Sequence, residues 1–367
     1  MLPVGRPYGD DDRWALGSRD IRFDHHAVAD HHRDVSVLLS FTITMPDTPT
    51  AITSDMENPP YTAGMIRREW RNSNGYRIAR LCGALAVSAV LVSTLQAHFV
   101  RVTTSLDFAA ATIPTPAHVV IVVEENRDPD DVIGNKSAPY INTLAANGAN
   151  MTQSFAEAHP SEPNYLALFA GNAFGLILDV CPFNGGNTPN LASELLAAGR
   201  TFTGFAEDLP AVGSAVCTSG KYDRKHAPWV NFSNVPGSDS VPFSAFPAPS
   251  NYASLPTVSF VIPNIDNDMH NGSVAQGDSW LLQHLSSYAE WAKANNSLLV
   301  VTWDESNDLL APNRIPMIFY GAHVKAGTYD ERINHYNLLS TLEQMYELPK
   351  TGQAANASAI GNIWDND

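Results

Sequence analysis

The chain has 367 residues and a formal net charge of −16. Residues 112–367 hold 11 of the 22 Lys and Arg but 26 of the 38 Asp and Glu, so nearly all the negative excess lies there. Nucleic-acid binding relies on Lys and Arg to neutralise phosphates, so this balance excludes nucleic acid as a partner. The length accommodates one large α/β domain behind an N-terminal extension, and nothing marks an obligate protein partner.

From Met65 a basic stretch, MIRREWRNSNGYRIAR, precedes the apolar run Leu81 to Leu95 and then small residues, among them Ala97 and Ala109 to Ala111. That order is the one a secretory signal peptide has. An uncleaved anchor is the alternative, but the run is short of the roughly 20 apolar residues a bilayer requires. The expected organisation is a disordered or mis-assigned extension over 1–64, a signal region over 65–111 and a catalytic domain over 112–367, with the product secreted. The extension's Asp24 to His32 stretch, DHHAVADHH, lacks hydrophobic periodicity and is weak evidence for a metal site. Of three cysteines, Cys82 falls in the signal region. Cys181 and Cys217 remain, an even pair in an exported chain, and are expected to form a disulfide; two buried thiols are the alternative.

After Pro114, short continuous apolar runs alternate with helical patterns, as in a parallel sheet buried on both faces. The expected strands are His118 to Val123, Thr201 to Phe205, Thr257 to Ile262, Leu298 to Trp303 and Pro316 to Tyr320, with Thr152 to Ala156 extended. Helices are expected over Ala138 to Asn147, Asn190 to Ala198 and Ser279 to Asn295. In the last, Leu281, Leu285, Tyr288 and Ala292 form one stripe, with Asp278 as N-cap. Val235 to Pro256 reads as a long surface loop.

Ligands of open parallel sheets bind beyond the carboxyl ends of the strands. There the sequence delivers Glu124, Glu125 and Asn126 after one strand, Asp266, Asp268 and His270 after another, and Asp304 and Glu305 after a third. Such a gathering of oxygen ligands suits a hard divalent cation, Mg, Ca or Mn. Solvated loops and helix caps are the plain alternative for each cluster. Ser161, in AHPSEPNYLALFAG, stands before a helical run. It fits an ordinary N-cap, or a hydroxyl placed where a helix N-terminus attracts a phosphate. KYDRKHAPW, Lys221 to Trp229, concentrates Arg224, Lys225 and His226 in a chain poor in cations, as a phosphate-attracting or a merely solubilising loop. Ser279, in Gly277-Asp278-Ser279, opens a late helix and is set aside as a nucleophile; no G-x-S-x-G occurs.

The motifs HVVIVVEEN, HPSEPNYLALFAG, KYDRKHAPWVNF, VSFVIPNIDNDMHNGS with GDSWL, SLLVVTWDES and INHYNLLSTLEQMY resemble, in order, the bacterial acid phosphatase and phospholipase C family of phosphoesterases. The likeness runs from about His118 to the C-terminus and is nearest to the family's secreted acid phosphatases. It implies an alkaline-phosphatase-like fold, a single domain with a mostly parallel central sheet flanked by helices. It also implies hydrolysis of phosphomonoesters, phosphatidylinositol 3-phosphate among them, with peripheral contact to membrane lipid. A divalent metal would be bound through Glu125, Asn126, Asp304 and Glu305, with Glu124, Asp266, Asp268 and Asp278 as additional acids. Ser161 would be the nucleophile, passing through a phosphoserine, with His159, His226, His270 and His335 around the phosphate or leaving group. Arg224, Lys225 and Asn164 would bind substrate. Further acids are common in the family after the Asp304-Glu305 pair, where Ser306-Asn307-Asp308 stands here. The rival readings are a phospholipase C-type phosphodiesterase, a serine esterase, and a cation-dependent lipid-head-group binding protein without turnover.

Overall fold

The computed structural model describes residues 112–310 and 312–365. The extension over 1–64 and the signal region over 65–111 lie outside them.

The strands, in chain order, are β1 (His118–Glu124), β2 (Ala149–Phe155), β3 (Phe202–Ala206), β4 (Thr218–Ser219), β5 (Tyr222–Asp223), β6 (Ser240–Pro242), β7 (Val258–Ile262), β8 (Ser297–Trp303), β9 (Arg314–Gly321), β10 (Gly327–Tyr329) and β11 (Ile333–Asn334). The main sheet runs β10-β2-β9-β8-β1-β7-β3-β6, with β11 also on β2. Strand β1 lies between β7 and β8 and is parallel to both. Strands β3 and β6 continue the parallel set, while β9 runs antiparallel to β8 and β2. The expected mostly parallel sheet is therefore present.

Both faces of β1 are buried, which is why its sequence is a continuous apolar run. Val119, Ile121 and Val123 join one core with Tyr165, Phe169 and Phe260. Val120 and Val122 join a second, with Leu281, Tyr288 and Trp303. The helices are α1 (Pro129–Val132), α2 (Pro139–Asn147), α3 (Ser161–Ala170), α4 (Leu191–Ala197), α5 (Val274–Ala294) and α6 (His335–Met345). Residues of α3, α4 and α6 fill the first core, and those of α2 and α5 the second. Among the described residues no helix is long and apolar enough to cross a membrane.

Two local expectations are corrected. Helix α5 begins at Val274, under Ser273, whose hydroxyl accepts from the Gln276 amide at 3.2 Å. Asp278 therefore lies inside the helix, where its Oδ1 accepts from the Ile141 amide at 2.8 Å and caps α2 instead. The 235–256 segment is not simply surface loop: β6 extends the sheet edge along β3, and Tyr252 and Leu255 are buried. The disulfide Cys181–Cys217 is present, with Cα atoms 5.8 Å apart.

Candidate active site

The parallel strands β1, β7 and β8 end at one rim, and backbone bonds lock their exits together. The Glu125 amide donates to the Asp268 carbonyl at 2.7 Å, and the Asp304 amide to the Glu124 carbonyl at 3.0 Å. Asn126, at a left-handed φ of 51° that Asn tolerates better than most residues, turns the chain so that its amide donates to Asp304 Oδ1 at 3.1 Å. Carboxylates distant in sequence thereby meet, buried, at one rim of the sheet.

Ser161 is the first residue of α3 and its hydroxyl caps nothing. It lies 3.1 Å from Glu125 Oε2 and 3.2 Å from Glu305 Oε1, buried. A hydroxyl has one proton, so with both carboxylates ionised one contact would be repulsive. The arrangement requires a shared proton or a cation among these oxygens. Glu125 Oε1 accepts from the Tyr165 hydroxyl at 2.6 Å and lies 2.9 Å from His226 Nε2. The His226 ring stacks on Tyr165 at 5.1 Å, and its Nδ1 is 3.4 Å from Asp268 Oδ2. His159 pairs through Nδ1 with Glu305 Oε2, while its Nε2 is buried without a hydrogen-bond partner.

The electrostatics follow from burial. Burial works against ionising Glu125, but the imidazolium of His226 outweighs it and holds the carboxyl at about 2. Conversely, burial disfavours charging His226, yet Glu125 and Asp268 lift it to about 10. Glu305 is pushed up to about 7 by burial and by Glu125, and Asp268 to about 6 by burial. Asp304 goes well above the carboxylate range through burial beside Glu125 and Glu305, and Glu124 through burial beside Asp268 and Glu125. Asp304 Oδ2 has no hydrogen-bond donor, and Asp268 Oδ2 has only the long 3.4 Å contact to His226 Nδ1. Buried carboxylates in excess of nearby cations, with orphaned oxygens, are what a divalent metal would relieve. Among the described residues, the acids and histidines whose ligand atoms lie within 4.8 Å of one another are Glu125, His226 and Asp268, a buried group that could hold such an ion. Asp304 reaches the same rim through the Asn126 amide, and Glu305 is engaged by Ser161 and His159.

Of the residues expected at the site, Glu125, Asn126, His159, Ser161, His226, Asp268, Asp304 and Glu305 are brought together. His270 borders them, its half-buried ring 6.0 Å from that of His226. Lys225 reaches Asp179 Oδ2 at 3.0 Å, and Glu125 helps hold its ammonium charged. The other candidates are held elsewhere. Arg224 is buried and donates to the Ala215 carbonyl at 2.8 Å and to Asn231 Oδ1 at 3.0 Å, which fixes a loop and leaves no fork for phosphate. Asn164 bonds the backbone of residues 157, 158 and 160, and so shapes the turn into Ser161. His335 faces Glu157 Oε2 at 2.6 Å and the Trp303 carbonyl at 2.9 Å, pinning α6 beneath the rim. Asp266 pairs with Lys221 at the surface, and Asp278 caps α2. Glu124, buried with both oxygens unpartnered, follows Val120 and Val122 in the alternation of β1.

Three contributors were not anticipated. Tyr165 stands one turn after Ser161, a spacing that puts both on one helix face. Asp179 receives the Glu162 amide at 3.0 Å as well as Lys225, and Glu157 positions His335. The last two sit in loops with no periodicity to announce them.

The chain matches the phosphoesterase family over residues 135–349. It is 68% identical over 287 residues to the phosphatidylinositol-3-phosphatase of Mycobacterium tuberculosis, a match spanning 78% of this chain and 96% of that protein. It is 27% identical over 328 residues to a probable acid phosphatase of Kluyveromyces lactis, spanning 77% of each. Among solved structures, the fold is similar to that of the lipoteichoic acid synthase LtaP from Listeria monocytogenes, with TM-score 0.52 and 12% identity over 71% of this chain and 79% of that one. A protein in the alkaline phosphatase superfamily from Vibrio parahaemolyticus aligns at TM-score 0.49 and 14% identity, over 68% and 72% of the two chains. The family match covers more than half of the residues and the first relative is near in sequence: the chain belongs to the phosphoesterase family and is a phosphate-ester hydrolase.

Proposed function

We propose that the chain is an exported acid phosphatase that cleaves phosphomonoesters, phosphatidylinositol 3-phosphate among them, by way of a phosphoserine at Ser161. The observation that carries this reading is the buried Ser161 hydroxyl set between the Glu125 and Glu305 carboxylates at 3.1 and 3.2 Å. The name of the mycobacterial relative supports the phosphoinositide. Export is supported by the Cys181–Cys217 bridge, which suits an oxidising compartment, and by the signal-like order that begins at Met65.

A hard divalent cation, Mg, Ca or Mn, would be held by Glu125 and Asp304 beside Asn126, and would lower the serine pKa and offset phosphoryl charge. Glu125, kept ionised by His226 and Tyr165, orients the Ser161 hydroxyl. Glu305, the more basic of the two flanking carboxylates, accepts its proton. The Ser161 oxygen bonds to phosphorus as the bond from phosphorus to the leaving alcohol oxygen breaks in line. His159, held by Glu305 through one nitrogen and open on the other, donates a proton to the departing alkoxide. Water then bonds to the phosphorus of the phosphoserine while His159 takes its proton, the bond from phosphorus to the Ser161 oxygen breaks, Glu305 returns its proton to that oxygen, and inorganic phosphate leaves.

The test is phosphate release from a soluble monoester and from phosphatidylinositol 3-phosphate, with wild type, Ser161→Ala and chelated enzyme. Near-normal turnover by Ser161→Ala overturns the mechanism. Cleavage of phosphatidylcholine without monoester turnover would instead favour a phospholipase C-type diesterase.

A further inference from the structure

The loop after α3 is divided between inside and outside. Phe174 and Leu176 pack against the core, whereas Ile177 and Leu178 are 81% and 67% exposed. The disulfide joins this loop to the one that carries Val212 and Val216, both exposed. Large aliphatics set outward together are unusual on a soluble surface unless something covers them.

Their position ties them to the catalytic rim. Asp179, next to Leu178, accepts from the amide of Glu162, the neighbour of Ser161, and Val180 donates to Glu162 in return. Adjacent Cα atoms are about 3.8 Å apart, so the tip lies on the order of 10–15 Å from the Ser161 hydroxyl. A second exposed aliphatic pair, Leu309 and Leu310 at 73% and 97%, follows Glu305 by four and five residues. Both apolar pairs therefore adjoin, along the chain, residues that contact the Ser161 hydroxyl or its neighbour Glu162.

We propose that these tips insert into the apolar layer of a lipid bilayer and present the Ser161 site to phosphoester headgroups at its surface. This rests on the phosphomonoesterase reading and adds how a membrane-borne substrate is met. Charge argues for this occupant over a second copy of the chain. Residues 173–178 and 209–217 contain no ionisable side chain other than Cys217, which is bridged. Two chains of net charge −16 would repel on close approach, whereas uncharged aliphatic tips meet no such barrier at a zwitterionic bilayer. A water-soluble phosphate would leave these side chains without a partner.

The test compares wild type with the Ile177→Ser/Leu178→Ser double variant on phosphatidylcholine vesicles, with and without phosphatidylinositol 3-phosphate. Wild type should co-sediment with both vesicles. The variant should lose vesicle binding, and hydrolysis of the vesicle-borne lipid, by at least about tenfold, given the apolar area removed, while keeping its turnover of a soluble monoester. A Leu178→Trp variant gives an independent reading: its fluorescence should shift to the blue on adding vesicles. Equal vesicle binding by wild type and double variant, or no shift from Leu178→Trp, overturns the proposal. So does a wild-type dimer in solution that the double variant abolishes, since that assigns the surface to a second copy. Loss of vesicle binding by the double variant, with no phosphate released from any substrate by wild type, would reject the catalytic reading and leave bilayer docking standing.

Discussion

Tyr165 donates its hydroxyl to Glu125 Oε1 at 2.6 Å, leaving the carboxylate's other oxygen to Ser161 one helical turn away. Two residues of one helix thus help to fix this carboxylate, together with His226 at 2.9 Å from Oε1 and the Asn126 side chain, which donates to Oε2 at 3.2 Å. A hydrogen bond to a charged group contributes about 1.5–3 kcal/mol. Tyr165→Phe should therefore lower phosphate release by roughly tenfold or more through kcat, with the fold retained by circular dichroism. Unchanged turnover would show that Glu125 needs no such positioning.

The excess of buried carboxyls predicts a linked response to pH and cations. Glu305, with its folded pKa raised to about 7, and Asp304, raised well above its usual range, favour the protonated form in the folded state. For such groups the unfolded chain ionises first, so metal-free protein should lose stability as pH rises from about 4 toward 7. Glu125 runs the other way: its stability is present above its unfolded pKa and is lost as pH falls toward about 2. A cation that binds only the folded state, at a concentration 100 times its Kd, adds about 2.7 kcal/mol. Thermal unfolding across pH, with and without Mg, Ca or Mn, should show cation stabilisation growing from acid to neutral pH, together with proton release on binding in calorimetry. Stabilisation that is flat in pH would contradict the carboxylate assignment.

His335 and Glu157 give a prediction about stability alone. Burial disfavours the charged ring, but Glu157 and the Trp303 carbonyl outweigh it and raise the pKa. The contribution of a raised histidine is fully present below its unfolded pKa, roughly 6.5, and is lost as pH climbs through the folded value. Breaking a buried pair costs about 3–5 kcal/mol. His335→Asn should therefore cost several kcal/mol in urea unfolding at pH 5 and measurably less in alkali. A cost independent of pH would mean that the ring is neutral.

The Cys181–Cys217 bridge spans 36 residues and ties the Asp179 loop to the strand pair β4–β5. Loop-closure entropy assigns such a bridge roughly 4 kcal/mol. The Cys181→Ser/Cys217→Ser protein should unfold at lower urea and lose order at Asp179, the partner of Lys225. Hydrogen exchange at the Glu162 amide, which donates to Asp179, reads the second effect directly; unchanged protection would show that the loop holds itself.

The central strands were legible because β1, β7 and β8 are buried on both faces and so read as unbroken apolar runs. The direction of β9 was not, since a buried strand has the same composition whichever way it runs. At the site, the acids that follow strands could be found from the rule that ligands sit beyond the carboxyl ends. Arg224 and Asn164 show the limit of that reasoning: residue type tells what a side chain can bond, but only the fold decides whether backbone carbonyls and amides claim it first. Asp278 has the residue type of a helix cap and is one, for a helix more than a hundred residues earlier in the chain. Tyr165 carried a usable signal in its four-residue spacing from Ser161.

The most direct measurement of the central claim is an acid quench of the enzyme during turnover of a phosphomonoester, followed by mass spectrometry of the peptide that contains Ser161. The account predicts phosphate covalently bound to Ser161, and Ser161→Ala slowed on the order of 10³-fold or more. Phosphate found on another residue, or undiminished release by Ser161→Ala, would contradict it.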